Sequence, residues 1–275
     1  MDSRSLSQTE AKVVLSLEEE GLDVVTVKEL QRRAGVSPGF ARKLAHELVR
    51  KGWLQRLRRG TYLLNPTKHG PDAVRDTDPL RIGSRMVEPY YFGFATAAEL
   101  QGLLPQASRV YYIVTTGRAG PVGDDAIRFR YVRVTPKRFF GSNELVRRGV
   151  RLSVSDLERT VIDCLNRPEY SGGMAGVSHI IARAKPQLNW GRLAAYLERV
   201  GNRSLVQRAG FLLERVRPSV EVPNVWAHRL KVRKGDPYVP LGPPKEYGRR
   251  GSRDDRWRVI LNVSTAQLFS EGEFR

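Results

Sequence analysis

Cysteine is almost absent: Cys164 stands alone among 275 residues. No disulfide can form within the chain, and a reducing compartment is the expectation. Acid is also scarce, with Lys+Arg 47 against Asp+Glu 29, a formal net charge of +18. Such an excess calls for a polyanionic partner, and nucleic acid is the commonest one. No apolar run approaches the roughly 18 residues that a membrane span needs. The opening MDSRSLSQTE lacks the apolar core of a secretory signal. A soluble, cytoplasmic protein with no membrane partner is therefore expected. Fixed-period repeats and low-complexity tracts are missing too.

Signatures of catalysis and cofactor binding are equally thin. No G-x-x-x-x-G-K-S/T run is present, so Gly120, Gly123 and the Gly172–Gly173 pair do not make a phosphate loop. His46, His69, His179 and His228 are widely spaced and have no cysteine pairs, unlike the close ligand spacing of zinc sites. Asp124 and Asp125 are neighbours in a turn and point apart, a poor acid–base pair. Asp156, Glu158 and Asp163 share one expected helix, where Glu158 reads as a cap. Cys164 lies among Val161, Ile162 and Leu165, where a thiol acts as a small hydrophobe. The expectation is a chain that is not an enzyme, with no catalytic residues, no metal and no cofactor.

The chain does have an apolar fraction of 40%, enough for real cores, and a length that fits two domains. Charge is unevenly placed. From Gln31 to Leu64 nine basic residues, Arg32 to Arg59, face only Glu47, whereas Glu18, Glu19 and Glu20 weight residues 1–30 toward acid. Ser7 with Glu10, and Thr26 with Glu29, have the spacing of capping boxes. They open a helix over Ser7–Glu20, which Gly21 ends, and a second one stopped by Gly35. Ser37 caps a third helix with Pro38 in its first turn. At the helical period Phe40, Ala41, Leu44, Ala45, Leu48 and Val49 form the packed side of that helix. Gly39, Arg42, Lys43, His46 and Arg50 form the other.

Short strands over Leu54–Leu57 and Thr61–Leu64 flank Arg58-Arg59-Gly60, a hairpin with a basic tip. Together these elements read as a winged helix-turn-helix. A helix face that starts small and continues basic suits the DNA major groove. The expected DNA-binding residues are Ser37, Gly39, Arg42, Lys43, His46, Arg50, Lys51, Arg58 and Arg59. Arg42, Lys43 and His46 go to base edges, and Arg50 and Lys51 to phosphates. Arg58 and Arg59 go to backbone or minor groove. The bland alternative is a solvated basic face, strongest for Arg50, which has Glu47 and Glu18–Glu20 as available partners.

The expected organisation is α+β: a winged helix over 1–65, a linker over 66–78, and a mixed α/β C-terminal domain over 79–275. In the latter, Asp78-Pro79 starts a short helix through Arg85. Strands are expected at Tyr90–Phe92, Arg109–Thr115, Ile127–Val134, Phe139–Phe140 and Val150–Leu152, with a helix at Thr96–Leu104. Further helices follow at Ser155–Asn166 (capped by Ser155 and Glu158), Val177–Lys185, Asn189–Val200 and Ser204–Val216. Strand-like sequence returns at Val225–Val232 and Trp257–Val263, around a basic loop, 234–253, that pattern alone does not assign. Arg128, Arg130, Arg147, Arg148, Arg203 and Arg208 suit an extended DNA footprint, RNA or an acidic protein surface, and sequence does not choose among them.

Several segments resemble the AbiEi family of antitoxins: YYFGFATAAELQGLL (90–104), VYYIVTT (110–116), GVRLSVSDLERTVIDCLNRPEYSGG (149–173) and VQRAGFLLERV (206–216). The winged helix ahead of them has the position of that family's DNA-binding domain. The resemblance implies the antitoxin of a type IV toxin–antitoxin pair, associated with phage defence. Its winged helix would repress its own operon at inverted repeats. Its C-terminal domain would counter a nucleotidyltransferase-like toxin encoded beside it, functionally and by physical contact or without it. Two rival readings stand beside this one. The first is a ligand-responsive regulator with a pocket at Tyr90, Tyr91, Tyr111 and Tyr112, and the second a nucleic-acid-processing enzyme that docks through the winged helix.

Overall fold

The computed structural model describes residues 5–65, 78–104, 109–118, 122–123, 128–230 and 232–268, without the side chains of 122, 123, 225, 227 and 228. The expected linker (apart from Asp78), His69, Asp124 and Asp125 lie outside the described residues. Two compact units divide the chain: residues 1–88 with 119–129, and residues 89–118 with 130–275.

The first unit opens with helix α1 (Gln8–Glu19), where Ser7 and Glu10 form the capping box. Strand β1 (Val24–Thr26) leads into α2 (Val27–Ala34), which is closed by Gly35 at φ +65. Thr26 and Glu29 make a second capping box. Helix α3 (Pro38–Arg50) follows, with the Ser37 hydroxyl accepting from the amide of Phe40. Strands β2 (Leu54–Arg58) and β3 (Thr61–Leu64) form the wing, and β1 adds to β3 in a three-stranded antiparallel sheet of order β1-β3-β2. Val13, Val14, Leu17, Leu30, Leu44, Leu48 and Trp53 share one core. Each large apolar side chain so buried stabilises by about 1.5–3 kcal/mol.

Helix α4 (Pro79–Ser84), capped by Asp78, belongs to this unit as well, although the sequence grouped it with the C-terminal domain. Its Arg81 ion-pairs with Asp23 and donates to the Gly21 carbonyl.

In the second unit, β4 (Tyr90–Phe92) is followed by α5 (Phe94–Leu100) and β5 (Val110–Thr115). The short β6 (Val122–Gly123) is grouped with the first unit, where it pairs with the start of β7 (Arg128–Arg133), Val122 opposite Phe129. A hairpin of β8 (Ser142–Arg147) and β9 (Val150–Ser155) comes next. The sheet runs β7-β5-β4-β9-β8, with β4 antiparallel to β5 and parallel to β9. The helices α6 (Leu157–Asn166), α7 (Gly173–Ala184), α8 (Trp190–Val200) and α9 (Arg203–Arg215) supply most of the core.

Several expectations change here for physical reasons. Val225–Val232 is not a strand: helix α10 (Asn224–Arg229) follows Pro223, and Trp226 and Leu230, four apart, are both buried. Phe139–Phe140 follows a 3-10 turn at Pro136–Arg138 and pairs with no strand among the described residues. The strand lies instead at β8, unanticipated, and Phe140 sits between the guanidinium groups of Arg159 (4.4 Å) and Arg199 (3.9 Å). The helix expected at Thr96–Leu104 runs instead over Phe94–Leu100. The loop 234–253 contains the short strand β10 (Val239–Pro240), helix α11 (Pro244–Tyr247) and the start of β11 (Ser252–Asp254). Beyond it, β12 (Val259–Leu261) and helix α12 (Thr265–Leu268) are the last elements among the described residues.

Helix α6 differs most from expectation in its charges. Asp156, not Ser155, caps it, accepting from the Arg159 amide at 2.8 Å. Ser155 shares a hydrogen bond with the Thr160 hydroxyl at 2.7 Å. Glu158 does not cap the helix but accepts from the Asn189 amide at 2.7 Å, tying α6 to the start of α8. Arg159 ion-pairs with Asp163 at 3.0 Å, both almost fully buried, and Tyr91 donates to the same carboxylate. Cys164 is wholly buried, and burial pushes its thiol up to about 12.

Removing Arg159 alone would strand the Asp163 charge in the core. Arg159→Met is expected to cost about 3–5 kcal/mol of stability, and Arg159→Met/Asp163→Leu to recover more than half of it, as read from urea unfolding midpoints.

Candidate nucleic-acid interface

The geometry of the first unit follows from which stripe of α3 is buried. Ala41, Leu44, Ala45 and Leu48 are at most 5% exposed, so the opposite side must face solvent. Ser37, Gly39, Arg42, Lys43, His46 and Arg50 are all exposed. Phe40, expected on the packed side, is 51% exposed. It lies at the stripe's edge, about 40° around the helix from Leu44 but about 100° from Ala41.

The wing stands beside this helix. Gly60, at φ +76, provides the left-handed residue at the tip, and its carbonyl accepts from the Val27 amide at 3.1 Å. Between α2, α3 and the wing lies a cleft of about 730 Å³, lined by Lys28, Gln31, Arg42, His46, Arg56 and Arg59 among others. Among the described residues no carboxylate lines it. The sequence reading had missed Lys28, Gln31 and Arg56; their signal is spatial, since three separate elements bring them together.

The nine expected residues divide into two groups. Arg42, Lys43, His46 and Arg59 are exposed and make no hydrogen bond or ion pair among the described residues. Ser37 spends its hydroxyl on the helix cap, and Gly39 has open space where a Cβ would stand. The other three are held by the protein itself. Arg50 pairs with Glu47 at 2.7 Å, as the bland alternative had it. Arg58 donates to the Met86 carbonyl at 2.6 Å and to Thr61, which fixes the wing to the segment after α4. Lys51 pairs with Glu10 at 2.7 Å, in a largely buried link between the end of α3 and the start of α1.

Burial pushes the Glu10 carboxyl upward, but hydrogen bonds from Lys51 and Ser7 outweigh it and hold the group below its usual 4.5. The unfolded chain therefore takes up this proton more readily than the folded one. The link stabilises fully above pH 4.5 and is lost as pH falls through the lower folded value.

Arginines of the second unit are partly committed in the same way. Arg203 pairs with Asp236 and Arg208 donates to the Pro240 carbonyl, whereas Arg147 and Arg148 are exposed at the β8–β9 turn. Tyr91 and Tyr112 are packed in the core, the latter against Tyr170 with ring centroids 5.0 Å apart. Asp156, Glu158 and Asp163 each have a structural partner. Among the described residues no helix is long and apolar enough to cross a membrane, and no cluster of three metal-ligating side chains occurs.

A capped helix pair followed by a basic hairpin on a three-stranded sheet is a winged helix-turn-helix. Residues 12–65 match the family model described as transcriptional regulator, AbiEi antitoxin, which bears out the resemblance read from the sequence. The family supports the coarse role of antitoxin and regulator. The whole fold is similar to the crystal structure of the RV2827C protein from Mycobacterium tuberculosis, with a TM-score of 0.63 and 19% identity over 94% of this chain and 92% of that one. At that identity the likeness concerns the fold alone. No curated protein matches the chain.

Lys51→Met is expected to lower stability by about 1–2 kcal/mol at neutral pH. The gap from wild type should narrow below pH 4.5 in thermal or urea unfolding.

Proposed function

We propose that this chain is an AbiEi-type antitoxin that represses its own operon by binding duplex DNA through the winged helix. The observation that carries the reading is the cleft between α3 and the wing, rich in arginine and free of acid among its described lining residues. Phosphate oxygens need cations that the protein has not already neutralised, and Arg42, Lys43 and Arg59 fit that need. Arg42 and Lys43 have the chemistry to read guanine O6 and N7, and the His46 ring can pair with base edges beside them. Arg59, on the two-residue wing tip, suits the flanking backbone. Lys51 and Arg58, which the sequence also favoured, serve here mainly as struts, and Arg50 is paired with Glu47 on its own helix. Helix-turn-helix proteins commonly read paired half-sites, so the expected site is a pair of inverted repeats.

The second half of the reading is the countering of a nucleotidyltransferase-like toxin by the second unit. The family match over the first unit and the AbiEi-like segments over 90–216 support it. Co-expression of the full chain with such a neighbouring reading frame tests it: relief of growth arrest is the expected result, and persistent arrest would remove this role.

In gel shifts with the DNA upstream of its own reading frame, Arg42→Ala is expected to lose about 1–3 kcal/mol of specific binding. Arg59→Ala should weaken all duplexes alike and reduce the salt slope by about one. Wild-type and Arg42→Ala proteins with equal affinity for that DNA would refute the groove assignment.

A further inference from the structure

An exposed phenylalanine on the leading turn of α3 has no role in the core or in the cation set. Phe40 is one of three large apolar side chains exposed among the described residues, and its 51% exposure contrasts with Ala41 at 0% beside it. Its amide is held by the Ser37 hydroxyl, so the ring stands on a capped, well-fixed turn. Around it are Pro38 and Gly39, both exposed, and Gly39 has nothing within 4 Å of where a Cβ would be. The helix tip is thus slim, and a surface can approach it closely. Lys43, one turn on and also exposed, gives that flank a positive charge; Arg42 and His46 occupy the other flank, facing the cleft.

We propose that Phe40 is an apolar reader of thymine, resting its ring against the 5-methyl group that projects into the major groove. The proposal rests on the DNA-binding reading above and adds its base preference on one side of the helix. Only thymine among the four bases presents a methyl group in that groove, and phenylalanine is among the side chains that meet it. Leading-turn residues of a recognition helix are the ones that reach base edges. A cationic flank draws the ring to the duplex, while contact with the methyl removes apolar surface from water on both sides. The two flanks then divide the work: hydrogen bonding from the Arg42 side, and methyl contact from the Phe40 side.

The test uses the full chain and a random-sequence duplex library. Binding selections with wild type and with Phe40→Ala identify the preferred site, and fluorescence anisotropy then compares that site with versions carrying deoxyuridine for each thymine in turn. Deoxyuridine pairs as thymine does but lacks the methyl group. Wild type is expected to lose about fourfold in affinity at one thymine of each half-site, the worth of one buried methyl group. Phe40→Ala should bind thymine and deoxyuridine versions equally, Phe40→Leu should keep part of the preference, and Arg42→Ala should keep it while binding more weakly. Because the ring is exposed, unchanged thermal melts of the Phe40 variants are expected and separate reading from folding. Tight selective binding with no thymine-over-deoxyuridine difference at any position would overturn the proposal and leave the DNA-binding reading standing. A large loss in Phe40→Ala without such a difference would assign the ring to base unstacking or a protein contact, and overturn it too. Failure of wild type to enrich any duplex would overturn both.

Discussion

Burial of one stripe of α3 governs everything argued for the first unit. Leu44, Ala45 and Leu48 pack where Leu17, Leu30 and Trp53 also lie, and Ala41 is buried as well. A Leu→Ala change in such a place costs about 2–5 kcal/mol. An exposed pair such as Arg50–Glu47 contributes at most about 1 kcal/mol. The rotational setting of the helix is therefore decided by its apolar side, and the polar side is turned outward as a consequence. That setting exposes Gly39, Arg42, Lys43 and His46 together, beside the cleft that the wing completes.

Lys51 and Arg58 are among the cations of the basic run that hold this arrangement. Lys51 links the end of α3 to the start of α1, and Arg58 pins the wing to the Met86 carbonyl. Both charges act at fixed places and satisfy groups that burial would otherwise penalise. Arg42, Lys43 and Arg59 are exposed and have no such partner among the described residues. Division of labour among residues of one type thus follows from distance to a carboxylate or carbonyl, not from position in the run.

Much of the first unit was legible in the sequence because its signals are local. Capping boxes act over three residues, Gly35 and Gly60 act at single positions, and the stripe of α3 repeats every three or four. What escaped depended on partners far along the chain. Strand β1 is three residues long and exists by pairing with Thr61–Leu63. Glu10 meets Lys51 across 41 residues, and Arg58 meets Met86 across 28. In the second unit, Glu158 looked like a helix cap but reaches the Asn189 amide instead, and Val225–Val232, bounded by valines, reads as strand-like but buries Trp226 and Leu230 at helical spacing. Phe40 was misassigned for a simpler reason: on a helix, the margin of a buried stripe is about one residue wide, and period alone does not say which side of it a ring falls on.

Chemical acetylation of the full chain, followed by mass spectrometry with and without the duplex DNA upstream of its reading frame, tests the central claim most directly. Lys28 lines the cleft, and Lys43 stands on the exposed side of α3. The account predicts that saturating duplex suppresses acetylation of Lys43 most, and of Lys28 as well, relative to the remaining lysines. Lys43 that stays as reactive in the bound protein as in the free one would contradict it.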